Sequence, residues 1–163
     1  MSAKDYIRQG FGRSQMVTNM LLGDLEDADL LVRPVPGANH IAWQMGHVIS
    51  ACRHFGELTK PGSMPTLPDG FDEKYGKETA GNDNAEDFLP KADYLRLLDE
   101  QRQALLSLLD ELTEEELEND AHESLKSICH TVADVFGLAS DHEMMHSGQY
   151  STVRRKLGKP VAF

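Results

Sequence analysis

Residues 141–150 read DHEMMHSGQY and place His142 and His146 four residues apart. On a helix, four residues make one turn plus about 40°, so both imidazoles leave the same face. Histidine is the commonest side-chain metal ligand, and two at this spacing need only one or two more ligands to hold an ion. The stretch therefore predicts a helix that carries part of a metal site.

The two histidines interrupt an apolar stripe on this helix. If residues 128–157 form one helix, the histidines fall within about 40° of the line through Ile128, Val132, Val135, Ala139, Val153 and Leu157. A buried polar ring without a partner costs on the order of a few kcal/mol. A single histidine here would more simply be a core residue bonded to a carbonyl, and a metal-free interpretation of both stays open. Two at this spacing favour a shared metal.

The same residues also fit the H-E-x-x-H pattern of zinc peptidases, in which the glutamate is the general base. Those enzymes usually take a further ligand from downstream. None of the 17 residues after His146 is His, Cys, Asp or Glu, so a third protein ligand must come from upstream. Glu143 is turned about 100° from His142. We therefore interpret Glu143 as a solvated helix residue.

Three upstream histidines, His40, His47 and His54, share one face of a second amphipathic segment at intervals of seven residues. Each interval is about 10 Å along a helix axis, so only one of the three can join the site. His122 lies in a polar linker, and His130 lies about 120° off the face of the downstream pair. Spacing alone does not choose among the first three.

The remaining pattern indicates an all-α protein with four long helices, predicted at residues 4–27, 40–58, 91–111 and 128–157. Asn39 is a candidate N-cap for the second helix, and the Thr113–Glu116 capping box predicts a short extra helix. Ser14 and Thr18 interrupt the apolar stripe of the first helix. We predict a four-helix bundle in a single domain spanning residues 1–163, with a long loop between helices 2 and 3.

That loop, residues 59–90, contains four prolines and four glycines and has little periodicity. Loops of this length are uncommon in compact domains unless they are functional or disordered. Because it follows the helix that carries His47, we hypothesise that part of it covers the site as a lid. Phe71, Tyr75 or Phe88 would then contribute apolar wall. A solvated acidic loop with no catalytic part is the alternative.

The amino-acid composition limits the kinds of partner that this chain can bind. The formal charge is −11, and residues 69–120 hold 17 acidic residues against 5 basic ones. Such a field repels phosphate backbones, so we expect no nucleic-acid binding. No stretch approaches the ~20 apolar residues of a membrane span, and the first residues lack the apolar run of a signal peptide. Cys52 and Cys129 form no C-x-x-C pair, which predicts reduced, packed cysteines and a cytoplasmic location.

Three motifs resemble the DinB-like (DinB/YfiT-like) family of four-helix-bundle metalloenzymes: IAWQMGH at residues 41–47, HEMMHSGQ at 142–149 and RRKLGKP at 154–160. The resemblance covers nearly the whole chain. It implies that His47, His142 and His146 together bind one divalent metal ion, with zinc or nickel expected. It also implies a homodimer.

The resemblance implies a metal-dependent enzyme that acts on a small-molecule substrate. The reaction would be S-transfer that uses a low-molecular-weight thiol, or metal-dependent hydrolysis. No catalytic residue is assigned. We expect Trp43 and His54 to line the substrate site and Gln149 to hydrogen-bond a ligand from behind. The alternative is a non-catalytic binding module that the metal stabilises.

Overall fold

The computed structural model of the protein describes residues 1–161 and shows six α-helices. They are α1 (Ala3–Leu22), α2 (Ile41–Thr59), α3 (Phe71–Lys74), α4 (Lys91–Glu111), α5 (Glu114–Leu117) and α6 (Val132–Lys156). Within residues 1–161 the only extended pairing is an isolated bridge between Asp120 and Thr131. The all-α prediction is confirmed. No helix in this range is both long and apolar enough to cross a membrane.

The start of α6 differs from the prediction because of a capping box. The hydroxyl of Thr131 accepts a hydrogen bond from the Asp134 backbone N–H at 3.2 Å, and the Asp134 carboxylate accepts one from the Thr131 N–H at 2.9 Å. This reciprocal pair satisfies two free N–H groups and fixes the first turn. Ile128, predicted at the helix start, is therefore left outside α6 and exposed.

The N-cap of α2 is His40 rather than the predicted Asn39. The His40 Nδ1 atom accepts a hydrogen bond from the Trp43 backbone N–H at 3.1 Å, as a serine or aspartate oxygen does at most caps. His40 is fully buried. Of the three histidines spaced by seven, this one has a structural role.

Two lysines join the ends of α1 and α4. Lys4, at the start of α1, donates to backbone carbonyls at the end of α4, including that of Leu112. Lys91, at the start of α4, donates to the carbonyls of Leu22 and Leu25. These bonds satisfy carbonyls that have no partner within their own helix. They also show that α1 and α4 are antiparallel. The first helix ends at Leu22 rather than at the predicted residue 27.

The long helices form two parallel pairs. α6 lies alongside α1, and contacts advance in the same direction along both, from Ser14–Glu143 to Thr18–Ser147. α2 packs against α4 and α6. An ion pair of 2.6 Å between Lys60 and Glu111 places the C-terminal ends of α2 and α4 together.

The parallel arrangement of α2 and α4 explains the long connection between them. After α2 ends, the chain must return along the whole helix, roughly 28 Å for 19 residues, before α4 can begin. The connection is not free of structure, since it contains α3 and two short 3-10 segments, Lys77–Thr79 and Ala85–Asp87. Met64, Phe71 and Tyr75 are buried against the helices.

The two cysteines are packed as the sequence predicts. Cys52 and Cys129 are each 1% exposed and unpaired. Burial raises the pKa of the Cys52 thiol to about 12, so it stays protonated and behaves as a small apolar side chain.

Candidate metal centre

His47 from α2 meets His142 and His146 from α6. One ring nitrogen from each lies within 4.8 Å of the others, and the Nε2 atoms of His142 and His146 are 3.2 Å apart. Two nitrogens bound to one tetrahedral ion at about 2.0–2.1 Å lie roughly 3.3–3.4 Å from each other. The donor set and this spacing fit a divalent ion. Sequence spacing left three upstream histidines possible, and the fold brings only His47 to the pair.

The far side of the His146 ring is fixed by a glutamine. The Gln44 Nε2 group donates to the backbone carbonyl of Asn39 at 2.9 Å, which turns the amide oxygen towards α6. That oxygen lies 2.9 Å from the His146 Nδ1 atom, so Nδ1 carries the proton and donates it. The Nε2 lone pair of His146 therefore points into the cluster. Metal-binding histidines generally have such a partner on their second nitrogen.

The ring of His47 is fixed in the same way, by a backbone carbonyl group. Its Nδ1 atom lies 3.3 Å from the carbonyl oxygen of Tyr75. Because a carbonyl only accepts hydrogen bonds, Nδ1 carries the proton here too, and Nε2 is left with its lone pair. Two of the three rings thus present Nε2 as the free donor atom.

Burial keeps the three rings neutral at pH 7. Burial, together with the neighbouring histidines, lowers the pKa of His146 to about 3 and that of His142 to about 4. Burial also lowers the pKa of His47, with a smaller contribution from Lys77. Neutral imidazole is the form that binds metal, so the site needs no proton release from these rings near neutrality.

Aromatic side chains stand on both sides of the cluster. Trp43 stacks on His47 with ring centroids 5.0 Å apart and planes 7° apart. Phe55 faces the edge of His142 at 6.3 Å. Trp43, expected to line the substrate site, is thus beside His47 of the cluster and 4% exposed. His54 is exposed and lies outside the cluster, on the same helix as His47.

Gln149 is exposed, and none of the hydrogen bonds to the three rings within residues 1–161 comes from it. The support expected of Gln149 is given by Gln44. The sequence did contain a signal for Gln44, since it is the only polar side chain in the otherwise apolar, buried run Ile41–Gly46. A buried amide needs a partner, and here the partner is His146.

Glu143 was interpreted as a solvated residue, and that interpretation is wrong. It is 2% exposed, and its carboxylate accepts hydrogen bonds from Ser14 at 3.0 Å, Thr18 at 2.8 Å and Arg102 at 2.8 Å. Ser14 and Thr18 interrupt the stripe of α1 because they face this carboxylate. The interruption of the apolar stripe of α1 by these two residues was the sequence signal for a buried polar partner. Glu143 belongs to a buried polar network between α1, α4 and α6, and it makes no hydrogen bond to the nitrogens of His47, His142 or His146.

The connection between α2 and α4 reaches the site through Tyr75. This residue is 1% exposed and packs against Gly46, where an added Cβ would lie 2.1 Å from the tyrosine ring. Phe71 is buried beside it, and half-buried Phe88 packs on His40 at 4.6 Å. The three aromatics named for a lid are therefore docked against α2 and its cap. That part of the connection covers the metal site as a lid stays a prediction.

The chain is similar to known proteins in both sequence and structure. The family description of the DinB superfamily matches residues 11–150. A crystal structure described as the conserved protein of locus from Enterococcus faecalis has the same fold, with a TM-score of 0.72 and 20% sequence identity. The match covers 98% of this chain and 99% of that one. A search of curated proteins found no match.

Proposed function

This chain belongs to the DinB superfamily, and from that premise we propose that it is a divalent-metal-dependent protein whose ion is held by His47, His142 and His146. The observation that carries the proposal is the convergence of three ring nitrogens, with two of the rings, those of His47 and His146, held by hydrogen bonds from behind. A proton shared by His142 and His146 would satisfy two of the three nitrogens. A bound cation satisfies all three, which favours the metal over the metal-free interpretation.

The proposed site is open and positively charged. Three imidazoles leave at least one coordination position, at which a divalent ion can lower the pKa of a thiol or of water. Within residues 1–161 the ligand cluster contains no carboxylate. The ligands therefore leave the charge of the ion uncompensated, and an anionic partner is favoured at the open position.

We propose S-transfer with a low-molecular-weight thiol as the reaction, and hydrolysis as the second candidate. Hydrolysis at such an ion gains from a nearby general base that takes the proton of water. Glu143, the acid next to His142 in sequence, is already bonded to Ser14, Thr18 and Arg102. A thiol needs less help, because its pKa of about 8.5 is far below that of water. The residues around the site thus favour the thiol.

A non-catalytic module remains the alternative from a different class. In that case the ion would stabilise the packing of α2 on α6, and its loss would lower the melting temperature with no activity to lose. An activity found in a screen of thiol and ester substrates, and abolished in a folded His47→Ala variant, would separate the enzyme from the module.

We further propose that α1, α2, α4 and α6 make one four-helix-bundle domain spanning the chain, in which metal sites form between facing helices. A homodimer follows from the family resemblance and is testable by sedimentation. The net charge of −11 speaks against nucleic-acid partners. The free, buried cysteines are compatible with a cytoplasmic location.

Elemental analysis of purified protein tests the metal site. We expect about one ion per chain in the wild type, and loss of that ion in His47→Ala and His142→Ala. His54→Ala is the matched control, because it removes an exposed histidine from the same helix. Protein loaded with Co(II) and titrated with 2-mercaptoethanol should then show sulfur-to-cobalt charge-transfer absorption. Absence of metal after zinc and nickel are offered would refute the proposal.

A further inference from the structure

Residues 71–83 form a strap that runs back along α2, and successive turns of the helix reach it with a polar side chain. His40 donates a hydrogen bond to the Asn82 carbonyl at 3.0 Å, and Trp43 Nε1 donates one to the Thr79 hydroxyl at 3.2 Å. Further along the helix, His47 donates to the Tyr75 carbonyl at 3.3 Å, and Ser50 donates to the Asp72 carboxylate. Helical residues spaced by three, four and three lie along one face. The strap is therefore docked on α2 by a row of bonds, one of which is made by a proposed metal ligand.

The strap is also fixed within itself and at its far end. The Thr79 hydroxyl, besides accepting from Trp43, lies 2.8 Å from the Gly76 carbonyl and 2.6 Å from the Lys74 carbonyl. Its single proton is shared between these two oxygens, while a lone pair accepts the indole N–H. Arg33 holds the next stretch through the Ala80 carbonyl at 2.8 Å. Thr79 thus closes the turn that follows Tyr75.

Two contacts fix the ring of His47, and both lead to Thr79. The Tyr75 carbonyl holds Nδ1 and so directs Nε2 into the cluster. Trp43 stacks on the ring face at 5.0 Å and limits its tilt. The indole of Trp43 is bonded to Thr79, and Thr79 closes the turn behind Tyr75. Removal of this one hydroxyl would loosen both contacts.

We propose that Thr79 is a positioning residue of the metal centre, acting on His47 through Trp43 and the Tyr75 carbonyl. The inference rests on the proposed role of His47 as a ligand. Because binding free energies are reciprocal, a metal that holds His47 in place also favours docking of the strap, and docking of the strap favours retention of the metal. A loosened strap would also let the ion leave faster, because His47 would be held less firmly in place.

The test is zinc release from the folded, metal-loaded protein to a competing chelator. A net hydrogen-bond contribution of ordinary size corresponds to about a two- to tenfold change in an equilibrium or rate. We expect Thr79→Val to release zinc about two- to tenfold faster than the wild type, and Thr79→Ser, which keeps the hydroxyl, to release it at the wild-type rate. Thr66→Val is the matched control, since Thr66 is exposed in the same connection.

A second pair of variants keeps the proposal testable if Thr79→Val does not fold. Asp72→Ala removes the partner of Ser50 and Arg53, while Glu73→Ala removes the same charge from an exposed neighbour. Asp72→Ala should speed zinc release and Glu73→Ala should not. Hydrogen exchange gives an independent readout, because zinc should slow exchange of the amides in residues 71–83.

The outcomes distinguish failure of the proposed metal site from failure of the proposed role of Thr79. A wild type that binds no zinc refutes the metal site itself. A wild type that binds zinc, with release unchanged in Thr79→Val and Asp72→Ala and with strap exchange unaffected by zinc, overturns the positioning role and leaves the metal site standing. Faster release in Thr79→Ser as well would assign the effect to the methyl packing rather than to the hydroxyl, and would also overturn it.

Discussion

Gly46→Ala tests directly whether the strap lies against α2. A Cβ at position 46 would lie 2.1 Å from the Cδ1 atom of Tyr75 and 2.3 Å from two further ring atoms. Carbon atoms in contact are about 3.5–4.0 Å apart, so the ring must move by roughly 1.5 Å. Its freedom to move is small, because the side chain is 1% exposed and its hydroxyl bonds to that of Tyr94 at 2.7 Å.

The magnitude follows from two opposing effects. Alanine is favoured over glycine inside a helix by about 1 kcal/mol, which stabilises the variant. Overpacking of a filled core typically costs about 1–3 kcal/mol, and this site lies at the upper end because backbone and a buried ring are both involved. We therefore expect Gly46→Ala to lower the free energy of unfolding by about 1–2 kcal/mol. For a chain of this size the melting temperature falls by about 2–8 °C.

Gly148→Ala and Gly12→Ala are the matched controls. Both glycines are helical and exposed, and an added Cβ at either meets no atom within 4 Å. They should gain the helix propensity alone, about 0.5–1 kcal/mol. Urea denaturation of metal-free protein, followed by circular dichroism, measures all three variants under one condition. If Gly46→Ala were as stable as Gly148→Ala, Tyr75 would not occupy the space described, and the docking of the strap would be wrong.

Three further outcomes are expected. Glu143→Ala should cost about 3 kcal/mol of unfolding free energy, the lower end of the range for a broken buried ion pair, because buried Arg102 would keep only the half-exposed Asp99 as a partner. Exposed Glu115→Ala should change the free energy of unfolding by less than about 0.5 kcal/mol, and similar losses in both variants would refute the network. The folded-state pKa of His146, about 3, lies below the unfolded value of 6.5. The contribution of His146 to the free energy of unfolding is therefore constant above pH 6.5 and falls by about 1.4 kcal/mol per pH unit below it. Acid titration of metal-free protein measures this, and a flat profile from pH 6.5 to 4 would contradict it. Zinc at 100 times its dissociation constant should stabilise the wild type by about 2.7 kcal/mol and leave the stability of His142→Ala unchanged. Thermal denaturation measures both, and an equal gain in the two proteins would place the ion elsewhere.

Local patterns predicted the parts of the fold that local physics determines. The leucine spacing of α4 gave both ends of that helix correctly, and the Thr113–Glu116 capping box gave α5. The i, i+4 histidine pair was also reliable, because the geometry of one helix is enough to bring both rings together. Each of these depends on residues within a few turns of each other.

The remaining features depend on which helices are neighbours, and no local pattern contains that. Glu143 is buried because α1 brings Ser14 and Thr18 to it, and α4 brings Arg102, from two distant parts of the sequence. Gln44 supports His146 only because α2 and α6 are packed together. The long connection is docked because α2 and α4 run in the same direction. Helical periodicity gives each helix a buried face, but neither its direction nor its partner.

The lysines at the starts of α1 and α4 have a consequence for how this chain can change over time. Each reaches the terminal carbonyls of the other helix, so the two helices are matched in length at both ends. One residue inserted into either helix advances its remainder by about 1.5 Å and turns it by about 100°, which would misplace the lysine contact at one end. Related chains should therefore vary in the lengths of their connections while α1 and α4 keep a constant number of residues between these contacts.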